Sequence, residues 1–539
     1  MTLVVRREPD DRGARFDYIV VGGGPAGCAV AARLADARPQ WRIALIEAGP
    51  AQGNVFTKTP VGFVALLGKR NKYNYAFDTL PQTQLNNRVC YQPRGRGLGG
   101  SSLINGMIYI RGQADDYDLW AEQGCAGWGW SDVLPFFKNA EDNVRGAGEF
   151  HGAGGPLHVD EIRHRNPMTD AFIKSASALG YPHNDDFNGK EQEGVGRYQV
   201  FQKEGRRYDA GSAYIRAKRR PNLEVIADHS AIKIEFQEGR AAAVLAKAGT
   251  EIVRIAADRE IIISAGAFGS PELLLRSGVG PSQDLQASGI NVVADSREVG
   301  HNLQDHLDYI ASRVVSAPGA IGFTPRALAP MVAGLVPFLR SGRGPLSTNV
   351  AEGGGFIRSG PEVERPDLQF HFAVALVDDH SRKLHARPGV SLHVCQLRPK
   401  SRGWVKLDGD KLLINPNFLA HEYDMGVMIR GARIAEQILD QEPFAKLGGR
   451  TLYPLGSTEQ QITESIRLRA DTVYHPVGTC RMGGDAASVI DARLKVRGVG
   501  SLRVADASVM PSIVSGNTQA PAAMIGERCA DFIIREASA

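Results

Sequence analysis

Phe16 to Val21 (FDYIVV) is a short, nearly unbroken apolar run of the kind that makes a buried strand. Six residues of glycine-rich turn follow, Gly22 to Gly27, and then CAVAARLA, a stretch of small and apolar residues suited to a tightly packed helix. Ile43 to Ile46 (IALI) repeats the strand pattern and ends on Glu47. The order predicts a βαβ unit at the start of the chain. Glycine-rich sequence returns at Arg94 to Gly100, and Trp120 to Phe137 predicts helix and loop covering it. Arg259 to Ala265 (REIIISA) predicts another buried strand, feeding Gly266 and a leucine-rich helix from Pro271.

Between about 312 and 454 the pattern changes to period-two alternation. Ser391 to Leu397 and Trp404 to Leu407, joined across Ser401-Arg402-Gly403, predict an antiparallel sheet. The last 75 or so residues return to short strands and glycine turns and end in a helix from Ala520. No internal repeat or low-complexity segment interrupts this order. The expected class is α/β (α+β overall). A nucleotide domain is assembled from residues 1–155, 211–311 and 465–539, and a sheet-based substrate domain from 156–210 and 312–464.

Composition narrows the function more than the fold. With 43% hydrophobic and 23% charged residues the chain reads as an ordinary globular protein. A net charge of +4 over 539 residues lacks the concentrated basic face that nucleic acid requires. Leu3 to Val5 are too few apolar residues for the core of a secretory signal, and the charges from Arg6 to Arg12 read as a solvated tail. The six cysteines have neither close pairing nor metal spacing, which predicts buried, reduced thiols in a cytoplasmic protein. No stretch approaches the roughly 18 unbroken apolar residues of a membrane span. Leu328 to Leu339 (LAPMVAGLVPFL), flanked by Arg326, Arg340 and Arg343, is apolar enough either to rest in a membrane interface or to form a core helix or a lid.

Gly22-Gly23-Gly24-Pro25-Ala26-Gly27 fits G-x-G-x-x-G, whose glycines permit a tight turn, close approach to a pyrophosphate and close helix–strand packing. The helix N-terminus beyond it supplies free N–H groups for the phosphates. Glu47 lies 20 residues after Gly27 at a strand end, where an acid hydrogen-bonds ribose hydroxyls; a solvent-facing strand-end acid is the alternative. The fingerprint alone leaves NAD and FAD open.

Two longer runs decide between them. Gly95-Arg96-Gly97-Leu98-Gly99-Gly100-Ser101-Ser102-Leu103-Ile104-Asn105, with Tyr109 and Gly112, resembles the first signature of glucose-methanol-choline oxidoreductases. Gly266-Ala267-Phe268-Gly269-Ser270-Pro271, continuing to Gly280, resembles the second. The resemblance runs from Phe16 to the C-terminus, includes Val299 to His306, and leans toward choline dehydrogenase-like and medium-chain alcohol dehydrogenases. It implies FAD. Gly95 to Gly100 would line the pyrophosphate, and Asn105, Gly106, Met107 and Ile108 would run beside the isoalloxazine. Ala231 would meet the adenine, and Asp506, Ala507 and Thr518 would complete the site. Ile104 stands where some family oxidases carry a histidine bonded to the flavin, so non-covalent FAD is expected.

The same resemblance places His475 (in Tyr474-His475-Pro476-Val477-Gly478-Thr479) and Asn517 together, facing the substrate across the flavin. The residue types suit alcohol oxidation. Histidine, with an ordinary pKa of about 6.5, is an acceptor for the hydroxyl proton near neutrality. Asn517 offers donor and acceptor groups without ionising. The remaining histidines, His301 and His306 included, read as structural. Tyr474 is a candidate substrate contact. Glu352 is either a second one, since choline-oxidising relatives place an acid here, or a loop acid satisfying backbone N–H groups. The implied activity is oxidation of a primary alcohol, with electrons passed to a quinone or another carrier. An oxygen-using alcohol oxidase, a choline dehydrogenase and a non-redox lyase are the alternatives, and peripheral attachment to the inner face of a membrane is an open possibility.

Overall fold

The computed structural model describes residues 15–322, 324–383 and 385–538, so the charged N-terminal segment lies outside the described residues. The first apolar run becomes strand β1 (Arg15–Val21), followed by helix α1 (Pro25–Ala37) and strand β2 (Ile43–Ile46). These strands pair in parallel, with Val20 opposite Leu45. Leu223–Ile226 continues the parallel set beyond β2. On the other side β1 pairs with β3 (Glu251–Ile263), and the C-terminal strand Leu502–Val504 lies parallel to β3. An antiparallel meander, Ser230–Gln237 and Arg240–Ala248, completes the seven-stranded sheet. Both faces of the parallel part are covered, so its strands read as unbroken apolar runs rather than alternating ones.

The leucine-rich helix α2 (Gly266–Arg276) begins five residues before Pro271, not at it. Proline has no N–H to give the carbonyl one turn back. That carbonyl, on Ala267, accepts instead from the Thr479 hydroxyl at 2.6 Å, so the proline leaves no orphan and ties the helix to the C-terminal motif.

The second large sheet is antiparallel, built around β4 (Leu307–Val314), β5 (Gly353–Ile357), β6 (Leu368–Ala373) and β7 (Gly389–Gln396), with β4 next to β7, β7 next to β6 and β6 next to β5. Leu368, Phe370 and Phe372 of β6 point into a core with Val427, Met428 and Ala435 of the helix Glu422–Leu439. The alternate positions, Gln369, His371 and Ala373, face the other way. Burying each phenylalanine contributes about 1.5–3 kcal/mol, which holds the polar positions in register.

Ser391–Leu397 and Trp404–Leu407 both lie in antiparallel sheets as expected, but they do not pair with each other. Trp404–Asp408 pairs with Lys411–Asn415 through a two-residue turn with Gly409 at φ +55°, while Asp424 accepts from the backbone of Lys400 and Ser401. The adjacent glycine turn closes a shorter loop than the one joining 397 to 404, and alternation identifies strands without naming their partners. Leu328 to Leu339 forms two short helices, α3 (Pro325–Ala333) and α4 (Leu335–Ser341). Val332 is 72% exposed and Leu339 61%, whereas Phe338 is buried. The six cysteines are buried and unpaired, and among the described residues no helix is long and apolar enough to cross a membrane.

Candidate active site

Strand β1 delivers Gly22 to the head of α1, and the first turn of that helix opens onto a cavity. Gly27 sits where any Cβ would collide with the Gly22 carbonyl, which is why the helix starts so close to the strand. The second glycine loop folds directly onto the first. Gly99 N–H donates to the Gly23 carbonyl at 2.7 Å, and a Cβ on Gly100, held at φ +55°, would lie 2.7 Å from the Gly24 Cα. Glu47 locks the arrangement: one carboxylate oxygen accepts from Gly23 N–H, the other from Gly49 and Gly97 N–H, each at 2.8 Å. Its role in the fold is to clamp three loops, a role the ribose assignment did not foresee.

The cavity has a volume of about 1480 Å³. That exceeds the roughly 300–1,000 Å³ of one small-ligand pocket, leaving room for a dinucleotide and a substrate together. Of the residues predicted for the flavin, all but Gly27, Arg96, Gly97, Leu98 and Gly99 form its wall. Ala231, with His229 and Lys233 close to it in sequence, and the pair His475 and Asn517 all belong to the wall. Buried polar atoms along the wall lack partners: Asn349 Oδ1, Gln519 Nε2 and His371 Nδ1. Unsatisfied groups in a wall of this kind mark where a ligand supplies the missing bonds. The arrangement fits FAD. Asn105 braces the loop, accepting from Met107 N–H and Arg207 and donating to Gln519 Oε1 at 2.6 Å. Asp506 accepts from Gly266 N–H and Ser270, anchoring the start of α2.

Within this wall, Asn517 Nδ2 lies 3.1 Å from His475 Nε2. The backbone approaches His475 through Tyr474 at φ +76°, an unusual conformation for a non-glycine residue and one that clusters at functional sites. It is held by Thr472 Oγ1, which accepts from Tyr474 N–H at 2.7 Å, and by Arg94, which donates to the Tyr474 carbonyl. Asp305 accepts the His475 N–H at 2.8 Å. His475 Nδ1 lies 3.0 Å from His306 Nδ1, and His306 Nε2 lies 3.0 Å from the Leu397 carbonyl. Burial pushes the His475 imidazole well below its ordinary pKa, and His306, His371 and Arg94 push in the same direction. Burial likewise lowers His306 to about 4 and His371 to about 3. Three neutral imidazoles therefore surround the reacting position.

Sequence reading missed part of this site. His306, taken as structural, touches His475, and so does its neighbour Asp305. Gln369 Nε2 donates to Asn517 Oδ1 at 2.9 Å, and His371 Nε2 lies 3.4 Å from Asn517 Nδ2. The available signal was the alternation in LQFHFA, which puts Gln369 and His371 on one face of β6 opposite His393 of β7. Tyr474 lies in the wall, its hydroxyl 2.6 Å from His380 Nδ1. Glu352 does not: it is fully buried behind the wall, accepting from Thr348 Oγ1 at 2.6 Å and Asn166 N–H at 3.1 Å.

The family profile described as GMC oxidoreductase matches residues 16–308 and, in its C-terminal part, 399–526. The chain is 43% identical over 535 residues to an alcohol dehydrogenase [acceptor] of Pseudomonas putida, covering 97% of this chain and 96% of that one. It is 39% identical to the mitochondrial choline dehydrogenase of Mus musculus, covering 96% and 89%. Among solved structures, pyridoxine 4-oxidase from Mesorbium loti superposes with a TM-score of 0.85 at 29% identity, over 96% of this chain and 98% of that one. Formate oxidase of Aspergillus oryzae does so with a TM-score of 0.90 at 26% identity, over 98% and 99%. The signatures, the two-sheet architecture and these relatives agree, and the chain belongs to the GMC oxidoreductase family.

Proposed function

We propose that this protein oxidises an uncharged primary alcohol to the aldehyde, with FAD held non-covalently in the cavity and electrons passed on to a quinone or another carrier. The observation that carries the reading is the His475–Asn517 pair, 3.1 Å apart in the cavity wall, with the imidazole kept neutral. FAD, when bound, would supply the acceptor for the hydride of the carbinol carbon. His475 Nε2 takes the hydroxyl proton, and an Asn517 N–H holds the oxygen as the carbon–oxygen double bond forms. Hydride and proton together account for the two electrons and two hydrogens the alcohol loses.

The apolar share of the lining supports an uncharged substrate rather than choline. Phe63, Leu67, Ile321, Met331 and Leu376 belong to the cavity wall, and Glu352, the acid considered for a cationic head group, is outside it and sequestered by its own hydrogen bonds. Anaerobic bleaching of the flavin by butanol, octanol, benzyl alcohol and choline tests the reading. Bleaching by the neutral alcohols and not by choline is expected, and no bleaching by any alcohol would refute it.

The acceptor reading extends to location. Leu328 and Met331 of α3 contribute to the cavity wall, while Val332, Leu335, Val336 and Leu339 face outward with Arg340 and Arg343 beside them. The Arg206 guanidinium stacks over Phe338 at the edge of this patch, 4.9 Å from the ring centroid; the side chain of Arg326 lies outside the described residues. We infer that this apolar face with its cationic border rests on the anionic inner face of a membrane, where a lipid-soluble quinone is met.

A further inference from the structure

We propose that His306 is a positioning residue for alcohol oxidation: it holds His475 in the Nδ1–H tautomer, so that Nε2 presents a bare lone pair to the substrate hydroxyl. The inference rests on His475 being the proton acceptor and adds what makes it one.

The direction of every proton follows from two backbone carbonyls, which only accept. The first is that of Leu397. His306 Nε2 lies 3.0 Å from it and must carry its hydrogen. His306 is fully buried and neutral, so its other nitrogen is a lone pair. His475 Nδ1 stands 3.0 Å from that lone pair and must be the donor. The second carbonyl is that of Phe370, to which the Tyr198 hydroxyl donates at 2.5 Å. The Tyr198 oxygen is thus left to accept from Gln369 Nε2, at 3.4 Å, and the same amide nitrogen donates to Asn517 Oδ1. Asn517 must therefore turn its Nδ2 toward His475 Nε2, 3.1 Å away, which is satisfied only if Nε2 is unprotonated. Traced from opposite ends, the two chains meet at His475 and demand the same tautomer.

The tautomer matters because a neutral imidazole has one acceptor nitrogen. Were the proton on Nε2, that nitrogen would face the hydroxyl as a donor and have nothing to accept with. The two carbonyls belong to the second sheet, Phe370 within β6 and Leu397 just past β7. The substrate-side sheet, not the nucleotide domain, thus sets the protonation state of the group that acts beside the flavin. Asp305, the neighbour of His306, accepts the His475 backbone N–H, so consecutive residues fix the backbone and the ring of the same histidine.

The test compares anaerobic flavin reduction by an alcohol in the wild type, His475→Ala, His306→Leu and His306→Gln. His306→Leu removes the acceptor; His306→Gln keeps an amide oxygen for His475 and an amide nitrogen for Leu397. Flavin reduction in His306→Leu is expected to fall about 10–100-fold at pH 7 and to climb as pH is raised, because hydroxide then replaces the missing base. The His306→Gln rate is expected to recover to within about 5-fold of the wild type, whose own rate stays flat from pH 6 to 8. A His306→Leu rate within 2-fold of the wild type, with His475→Ala slow, would overturn the role of His306 and leave that of His475 standing. Equal slowing in the Leu and Gln variants with an unchanged pH profile would reduce His306 to a structural part and also overturn it. Should His306→Leu lose its flavin, the ¹⁵N histidine spectrum of the wild-type holoenzyme, assigned against His475→Ala, reads the tautomer directly; a protonated Nε2 on His475 would refute the proposal. Normal flavin reduction in His475→Ala would instead refute the underlying reading.

Discussion

Replacing Glu47 by glutamine tests how the nucleotide site is held together. The carboxylate is 6% exposed and receives three backbone N–H groups from three separate loops, each at 2.8 Å. A glutamine oxygen placed at the Gly49 and Gly97 end keeps two of these bonds at neutral strength, a loss of about 1 kcal/mol each. Its NH₂ then faces the Gly23 N–H, donor against donor, and the unpaired buried amide costs about 1–3 kcal/mol more. Together these destabilise the loops by about 4 kcal/mol, a large share of the 5–15 kcal/mol that usually holds a domain folded. Urea unfolding of apoprotein and holoprotein, with flavin content measured after gel filtration, reads both consequences. Glu47→Gln is expected to lower the midpoint in both forms and to shed flavin during filtration. Glu47→Asp, one methylene shorter, keeps the charge but reaches fewer of the three amides, and should fall between. A Glu47→Gln protein within about 1 kcal/mol of the wild type and fully loaded with flavin would refute the clamp.

Four other outcomes follow from the same geometry. His475→Ala should lower kcat by about 10²–10⁴-fold with flavin retained. Because burial depresses the His475 pKa, the protonated, inactive form accumulates only below the ordinary imidazole range; the acidic limb of the wild-type rate should therefore lie below pH 6.5, and a limb at or above that value would contradict it. Ile104, buried in the cavity wall, offers no atom for a bond to the flavin, so acid precipitation should leave the yellow colour in the supernatant; colour in the pellet would refute non-covalent binding. Wild-type protein should co-sediment with anionic liposomes, and Leu335→Glu with Leu339→Glu should not; Phe338 is buried and belongs to the fold rather than the patch. Equal behaviour of the two proteins would remove the membrane reading.

Much of this was written in local sequence. The βαβ start, the two glycine loops and the His475 and Asn517 motifs are each specified by residues close along the chain. Strand burial, tight turns and helix N-termini impose short-range requirements: Gly27 must lack a Cβ, and the apolar run from Phe16 to Val21 must be covered on both faces. Residues far apart in sequence were another matter. Glu47 shows an acid at a strand end, but that its two oxygens bind loops at Gly23, Gly49 and Gly97 depends on how the second glycine loop folds onto the first. Glu352 shows an acid in a loop; only packing against Thr348 and Asn166 takes it out of the cavity. His306 lies 169 positions before His475 and Gln369 lies 148 before Asn517, and no local rule connects them. Alternation could say that Gln369 and His371 share a face of a strand. It could not say what that face meets, because strand partners and sheet-on-domain packing are chosen by long-range burial, and the polar face of the second sheet becomes the wall of the active site only after both cores have closed.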